Sequence, residues 1–239
     1  MARLKIAPTH VVVTCEHASR RIPTSLGSLG LGARALASHI AWDRGARPAA
    51  TALARRLSAP VYHGRYSRLV VDLNRSRHQP KVIPAIAFGT PVPGNRALTG
   101  EERERRLARY YDPWRLAVEE AIADRIAHQG RCLHISVHSF TPRLAGQRRR
   151  PNVGLLYDPA RATEHRVARA IRHDCAAYGV SVRMNYPYRG TADGFTTHCR
   201  KRFPARRYVG LEIELNQRIV RSRRTVTAVL DAVVGVLNV

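Results

Sequence analysis

A chain of 239 residues with 44% apolar content can bury one good hydrophobic core, and it holds no uninterrupted apolar run of the roughly 18 residues that a membrane span needs. Lys+Arg 41 against Asp+Glu 17 gives a formal charge of +24, a surface that attracts anions of any kind, nucleic acid included. The basic residues cluster tightly only at 148–150 and between Arg218 and Arg224, and aromatics are 6%, so no stacking platform is interleaved with them; a nucleic-acid partner is allowed but not favoured over a solvated basic surface.

In chain order, Met1–Ile6 enters an apolar strand pattern almost at once and lacks the long apolar region and cleavage site of a secretion signal, so a cytoplasmic location is expected. Val11–Cys15 reads as a buried strand, followed by a loop with Pro23 and several glycines. Ala35–Leu57 has helical apolar spacing broken near Pro48, which fits two helices or one interrupted helix. Pro60–Tyr62 and Leu69–Leu73 read as strands, and Gln79–Gly100, rich in Pro and Gly, as a long loop. Thr99 caps a helix with Glu101 and Glu102 in its first turn; the helical pattern breaks near Pro113 and runs to about His128.

Cys132–Val137 is a strand, Arg143–Pro151 a basic loop, Val153–Tyr157 a strand, Thr163–Tyr178 a helix and Val180–Met184 a short strand. Asn185–Pro204 reads mostly as loop, Tyr208–Leu215 as a strand and Arg223–Leu237 as a terminal helix. Strands alternating with helices predict one α/β domain, with a sheet layered by helices and its site at the carboxyl ends of strands. Cys15, Cys132, Cys175 and Cys199 show no CxxC spacing, so a zinc ribbon or thioredoxin-type site is not expected and reduced thiols are.

The polar residues with chemical promise sit just past strand ends. Glu16-His17 follows the first strand, and His138-Ser139 follows the strand at Leu133–Val137. Two histidines so placed can converge on one metal ion, or each can cap its own strand through hydrogen bonds. Catalytic zinc wants three protein ligands, and Asp43, opening a helix-like segment soon after the first histidine, is the strongest carboxylate for the third. Glu212 and Glu214 share one face of an apolar strand. One of them is a candidate general base if that face is buried; an edge strand with a solvated acidic face is the alternative.

Arg65–Arg68 and Asp72–Arg75 form a dense polar cluster in which Arg75 suits a substrate carboxylate, with Asp72 and Asn74 orienting neighbours, or in which all are tied in a structural ion-pair network. The stretch from Asn185 to His198, with several glycines, is either a specificity loop that uses His198 as a polar contact or a plain surface loop.

The motifs CEHASRRIP (15–23), HIAWDRGA (39–46), RYSRLVVDLNR (65–75), SVHSF (136–140), NYPYRGTADGFTTHCR (185–200) and GLEIELNQ (210–217) span nearly the whole chain. In this the chain resembles the N-formylglutamate amidohydrolase family. The resemblance implies a mixed, mostly parallel sheet sandwiched by helices, similar to zinc carboxypeptidases and zinc murein amidases. It implies one divalent metal, zinc, on His17, Asp43 and His138, with Glu214 as acid/base carboxylate and Glu16 as a weak ligand candidate, because other branches of the family carry proline there. It implies a small carboxylate-bearing substrate such as N-formylglutamate, gripped by Arg75 first and by Arg68 or Arg200 next, with Asn74 and His198 as further contacts. A murein or peptide amidase on the same scaffold is the neighbouring enzymatic reading. The basic loop 147–150 and the tail Leu215–Arg218 depart from the family pattern.

Overall fold

Two of the predicted strands, at 132–137 and 208–215, place apolar side chains at every odd-numbered position, and this periodicity points to how the sheet is layered. In a computed structural model, which describes residues 10–237, six strands form the central sheet: β1 (Val11–Cys15), β2 (Val61–His63), β3 (Cys132–Phe140), β4 (Val153–Leu156), β5 (Val182–Met184) and β6 (Tyr208–Asn216). Their order is β2-β1-β3-β6-β4-β5. The first four of these run parallel to one another, and β4 pairs antiparallel to β6, so the sheet is mixed and mostly parallel. The strand pattern read at Met1–Ile6 lies outside the described residues.

Helices cover both faces. α1 (Ala46–Arg56), α4 (Ala162–Ala177) and α6 (Arg223–Leu237) lie against the odd-numbered residues of the central strands: Val11, Val13, Leu133, Ile135, Leu211 and Ile213 share their core cluster. α3 (Asp112–Gln129) and α5 (Phe195–Arg202) pack on the other face, where Val118, Ile122 and Phe195 meet Val12, Cys132 and Tyr208. Ile135 and Leu211 are fully buried neighbours in the middle of the sheet, and truncating either to alanine is expected to cost about 2–5 kcal/mol. α2 (Gly100–Tyr110) starts where expected: Thr99 and Glu102 form a reciprocal capping box.

Several boundaries differ from the expectation, each for a physical reason. Pro48 does not break a helix, because α1 starts at Ala46 and places it in the first turn, where no N–H is needed. The interruption lies earlier, in residues 37–45, after a single helical turn at Ala33–Leu36. Leu69–Leu73 is not a strand. Its backbone is bonded turn by turn, Val70 N to Ser67 O at 2.9 Å and Asp72 N to Val82 O at 2.7 Å, while its apolar side chains fill a second core cluster with Val82, Leu107 and Tyr111. The segment from Asn185 to Pro204 carries α5 within it. Finally, β3 continues to Phe140, so His138 and Ser139 belong to the strand itself.

Candidate active site

The even-numbered residues of β1, β3 and β6 make one face of the sheet polar beneath its helices. Thr14 and Glu212 both pair in register with Ser136, and Glu214 pairs with His138, so these side chains share that face. All of them are buried. The deepest, His134, touches Thr14 Oγ1 and the Tyr208 hydroxyl, each at 2.8 Å, and burial pushes its pKa down to about 4. It is a neutral structural histidine.

Nearer the carboxyl end of the strands, three side chains meet. His17 follows β1 directly. Asp43 is brought to it by a backbone bond from Asp43 N to His17 O at 3.0 Å, and Gly45, at φ 82, turns the chain from there into α1. A Cβ at Gly45 would strike the Val220 side chain, so the turn needs glycine twice over. The Nδ1 atoms of His17 and His138 lie 3.2 Å apart, and Asp43 Oδ2 lies 2.9 Å from the second and 3.4 Å from the first.

The outer ring nitrogens are already engaged. His17 Nε2 is 2.7 Å from Asp72 Oδ1. His138 Nε2 is 2.9 Å from Ser136 Oγ, whose hydroxyl donates to Glu16 Oε2 at 2.6 Å. These partners assign the proton of each neutral ring to Nε2, leaving two Nδ1 lone pairs and a carboxylate oxygen aimed at one point. Such a group is repulsive without a cation. A proton fills the role in the metal-free protein: burial alone would lower the His138 pKa, but its bonds to Asp43 and Glu16 hold it well above the usual value. His17, Asp43 and His138 therefore fit a divalent ion, and two nitrogens with one carboxylate suit zinc, with Asp72 and the Ser136–Glu16 relay orienting the histidines. Despite burial, His17 pulls the Asp72 carboxyl down to about 2 and His138 holds Glu16 well below the carboxylate range, so both remain anionic acceptors.

Glu212 and Glu214 lie on β6, an interior strand, which removes the solvated-edge alternative. They are not equivalent. Thr196 Oγ1 donates to Glu212, whereas Glu214 Oε2 is buried with no partner among the described residues. Burial, together with the charges of Asp43 and Glu212, raises the Glu214 pKa to about 8. Gly154 stands opposite Glu214 on β4, and a Cβ there would overlap the Tyr186 carbonyl oxygen, so glycine lets the 185–194 loop lie down beside the carboxylate.

These groups open into a cavity of about 180 Å³, whose lining also includes Arg68, Asn74 and Arg75. Arg68 is bonded to Asp43 Oδ1 and holds that carboxylate from behind. Arg75 is 41% exposed, with Nη1 3.3 Å from the Asp193 carbonyl and 3.8 Å from its carboxylate. Asn74 is 3.4 Å from His138 Nε2 and accepts the Phe195 N–H at 2.6 Å, which fastens the start of α5 to the site.

Two expected contacts lie elsewhere. Arg200 is buried against Glu164 at 3.0 Å and donates to the carbonyls of Gly190 and Gly210, a structural clamp that does not line the cavity. His198 points to Glu119, 3.0 Å away, also off the cavity. Both belong to α5 rather than to a loop, and on that helix they do not line the cavity. Other contributors were under-read or missed. Glu16, a weak ligand candidate at most, takes its place behind Ser136, and Arg149, from the basic loop, and His39, from the HIAWDRGA motif, line the cavity although neither is assigned a role from sequence.

Comparisons with known proteins bear on the family and the fold. The family model described as N-formylglutamate amidohydrolase matches residues 9–221. A gene product of Agrobacterium tumefaciens with a known crystal structure is 32% identical and superposes with a TM-score of 0.84 over 95% of this chain and 88% of that one. The N-formylglutamate amidohydrolase of Ralstonia eutropha JMP134 superposes with a TM-score of 0.76 over 98% of this chain and 92% of its own, at 18% identity, a likeness of fold alone. An N-acetylmuramoyl-L-alanine amidase of Nostoc punctiforme, at a TM-score of 0.39 and 11% identity over 97% and 96% of the two chains, is too distant to carry an argument. No curated protein matches the chain. Among the described residues, no helix is long and apolar enough to cross a membrane.

Proposed function

The chain belongs to the N-formylglutamate amidohydrolase family, and from that premise we propose that it is a zinc-dependent hydrolase of the amide bond in a small N-acyl amino acid, N-formylglutamate first among them. In this reading residues 1–239 form one catalytic domain, working in a reducing, cytoplasmic setting that suits its four free, buried cysteines. The observation that carries the proposal is the convergence of His17 Nδ1, His138 Nδ1 and Asp43 Oδ2, with both Nε2 atoms held from outside.

His17, Asp43 and His138 would hold the ion. Zinc in that place would polarise the amide carbonyl and bring the pKa of a water toward neutrality. The chain's own groups then divide the work. Among the described residues, Glu214 is the carboxyl on the polar face with a free buried oxygen, so it suits the role of taking a proton from the attacking water and passing it to the leaving nitrogen. The raised pKa of Glu214 would fall with a dication held by His17, Asp43 and His138, because opposite charge would then lie beside it, leaving the carboxylate free to accept a proton. Arg75, half-exposed in the cavity wall, is placed to hold the substrate's α-carboxylate in a bidentate grip. Arg68 fixes Asp43 and brings positive charge to the region where the oxyanion would develop, and Asn74 supports His138 from beside it.

The test is metal analysis of the purified protein coupled to a formate-release assay on a panel of N-formyl amino acids. Zinc-loaded protein that releases formate from N-formylglutamate supports the reading. Zinc-loaded protein inert on every N-formyl amino acid moves the substrate to another acyl group, and activity that survives complete zinc removal removes the metal.

A further inference from the structure

The arginines on the cavity wall differ in what neutralises them. Arg68 is bonded to Asp43, and Arg75 lies beside Asp193. Arg189 is exposed at the rim. Arg149 has no carboxylate within ion-pair distance among the described residues, and its Nη1 is shut off from solvent without a hydrogen-bond partner. An unpaired, desolvated guanidinium N–H is costly and points to a partner that the protein itself does not supply.

The position of Arg149 is built. Its N–H donates to the Pro142 carbonyl at 2.8 Å across a two-residue hairpin, and its carbonyl accepts from Asn216 Nδ2 at 2.8 Å, two residues beyond Glu214. Its guanidinium lies 5.9 Å from the ring centroid of Phe140 and 5.6 Å from that of Tyr188. Phe140 is itself two residues past His138. Two aromatic rings thus hold the fork in the cavity wall with little rotamer freedom. Arg68, His39 and Arg149 line the same cavity, and the His39 imidazole is kept below its ordinary pKa by burial and then by the charges of Arg68 and Arg149.

We propose that Arg149 is the specificity-determining residue of this enzyme, seating the substrate carboxylate that lies farther from the scissile amide, so that N-acyl derivatives of acidic amino acids are selected over their neutral amides. This rests on the amidohydrolase reading for the identity of the ligand, but it can be tested without turnover. L-glutamate and L-glutamine differ only in that distal group, and one charge-assisted bidentate contact is worth about 10- to 100-fold in binding.

The experiment is calorimetric titration of both amino acids into zinc-loaded wild type, Arg149→Gln and Arg149→Lys. Wild type should bind glutamate at least about 10-fold more tightly than glutamine. Arg149→Gln should lose that preference with glutamine affinity held, and Arg149→Lys should keep part of it, because the charge remains and the fork is gone. A wild type that does not discriminate, or binds neither ligand, overturns the assignment, as does a preference that survives in Arg149→Gln. If the preference depends on Arg149 while wild type releases no formate from N-formylglutamate, the carboxylate seat stands and the reaction reading falls.

Discussion

Glu214 faces His138 directly across two neighbouring parallel strands, which puts a buried carboxyl without a partner beside one corner of the ligand cluster. The sheet register alone fixes this relation, so a conservative change at either position alters chemistry without moving the backbone. Glu214→Gln is accordingly expected to keep its zinc and its fold while kcat falls by about 10²–10⁴. Zinc content and formate-release kinetics on the same preparation check this; a variant with near-wild-type kcat would assign the proton transfer elsewhere.

The same carboxyl sets a pH dependence of stability in the metal-free protein. Its folded pKa of about 8 lies above its ordinary 4.5, so between these values the unfolded chain gives up the proton first and folded stability falls as pH rises. Glu214→Gln removes that loss. Thermal melts of metal-free protein should show the variant more stable than wild type at pH 8.5, by at least about 2–4 °C, with the gap closing toward pH 5. A gap that is constant with pH would contradict the burial argument.

The partners behind the histidines should matter nearly as much as the ligands. Asp72→Asn takes the anionic acceptor from His17 Nε2, and Glu16→Gln takes it from the Ser136 relay to His138. Each is expected to weaken zinc binding by about 10–100-fold with all three ligands still present. Competition with a chromogenic chelator measures it, and unchanged affinity in both variants would make those carboxylates bystanders.

Zinc binding should also be linked to pH. In the metal-free protein His138 carries a raised pKa through Asp43 and Glu16, so the ion must displace a proton. Affinity should therefore fall steadily as pH drops through the acid range, with proton release on binding at neutral pH. Titrations in buffers of different ionisation enthalpy count the protons; none released would mean that the site is preformed and unprotonated.

Much of this was legible in the residues. The alternation in Cys132-Leu-His-Ile-Ser-Val-His and Leu211-Glu-Ile-Glu-Leu marks strands with one polar face, and the pairing of Glu214 with His138 follows once those strands lie side by side. Thr99 and Glu102 announced the start of α2 because a capping box is local. What could not be read depends on distant partners. α5 receives its N-terminal acceptor from Asn74, 121 positions away, so nothing near Phe195 signals a helix. Leu69–Leu73 is as apolar as a strand because it is equally buried, but its backbone bonds go to a loop. Arg200 looked like a substrate contact because nothing in its neighbourhood announces Glu164, 36 positions earlier.

The most direct measurement is the zinc content of wild type, His17→Ala and His138→Ala purified side by side and dialysed against a weak chelator. Wild type should retain close to one zinc per chain, and both variants should lose it together with formate release. Full zinc occupancy in both variants would place the ion somewhere other than between those two rings and leave the proposed chemistry without its centre.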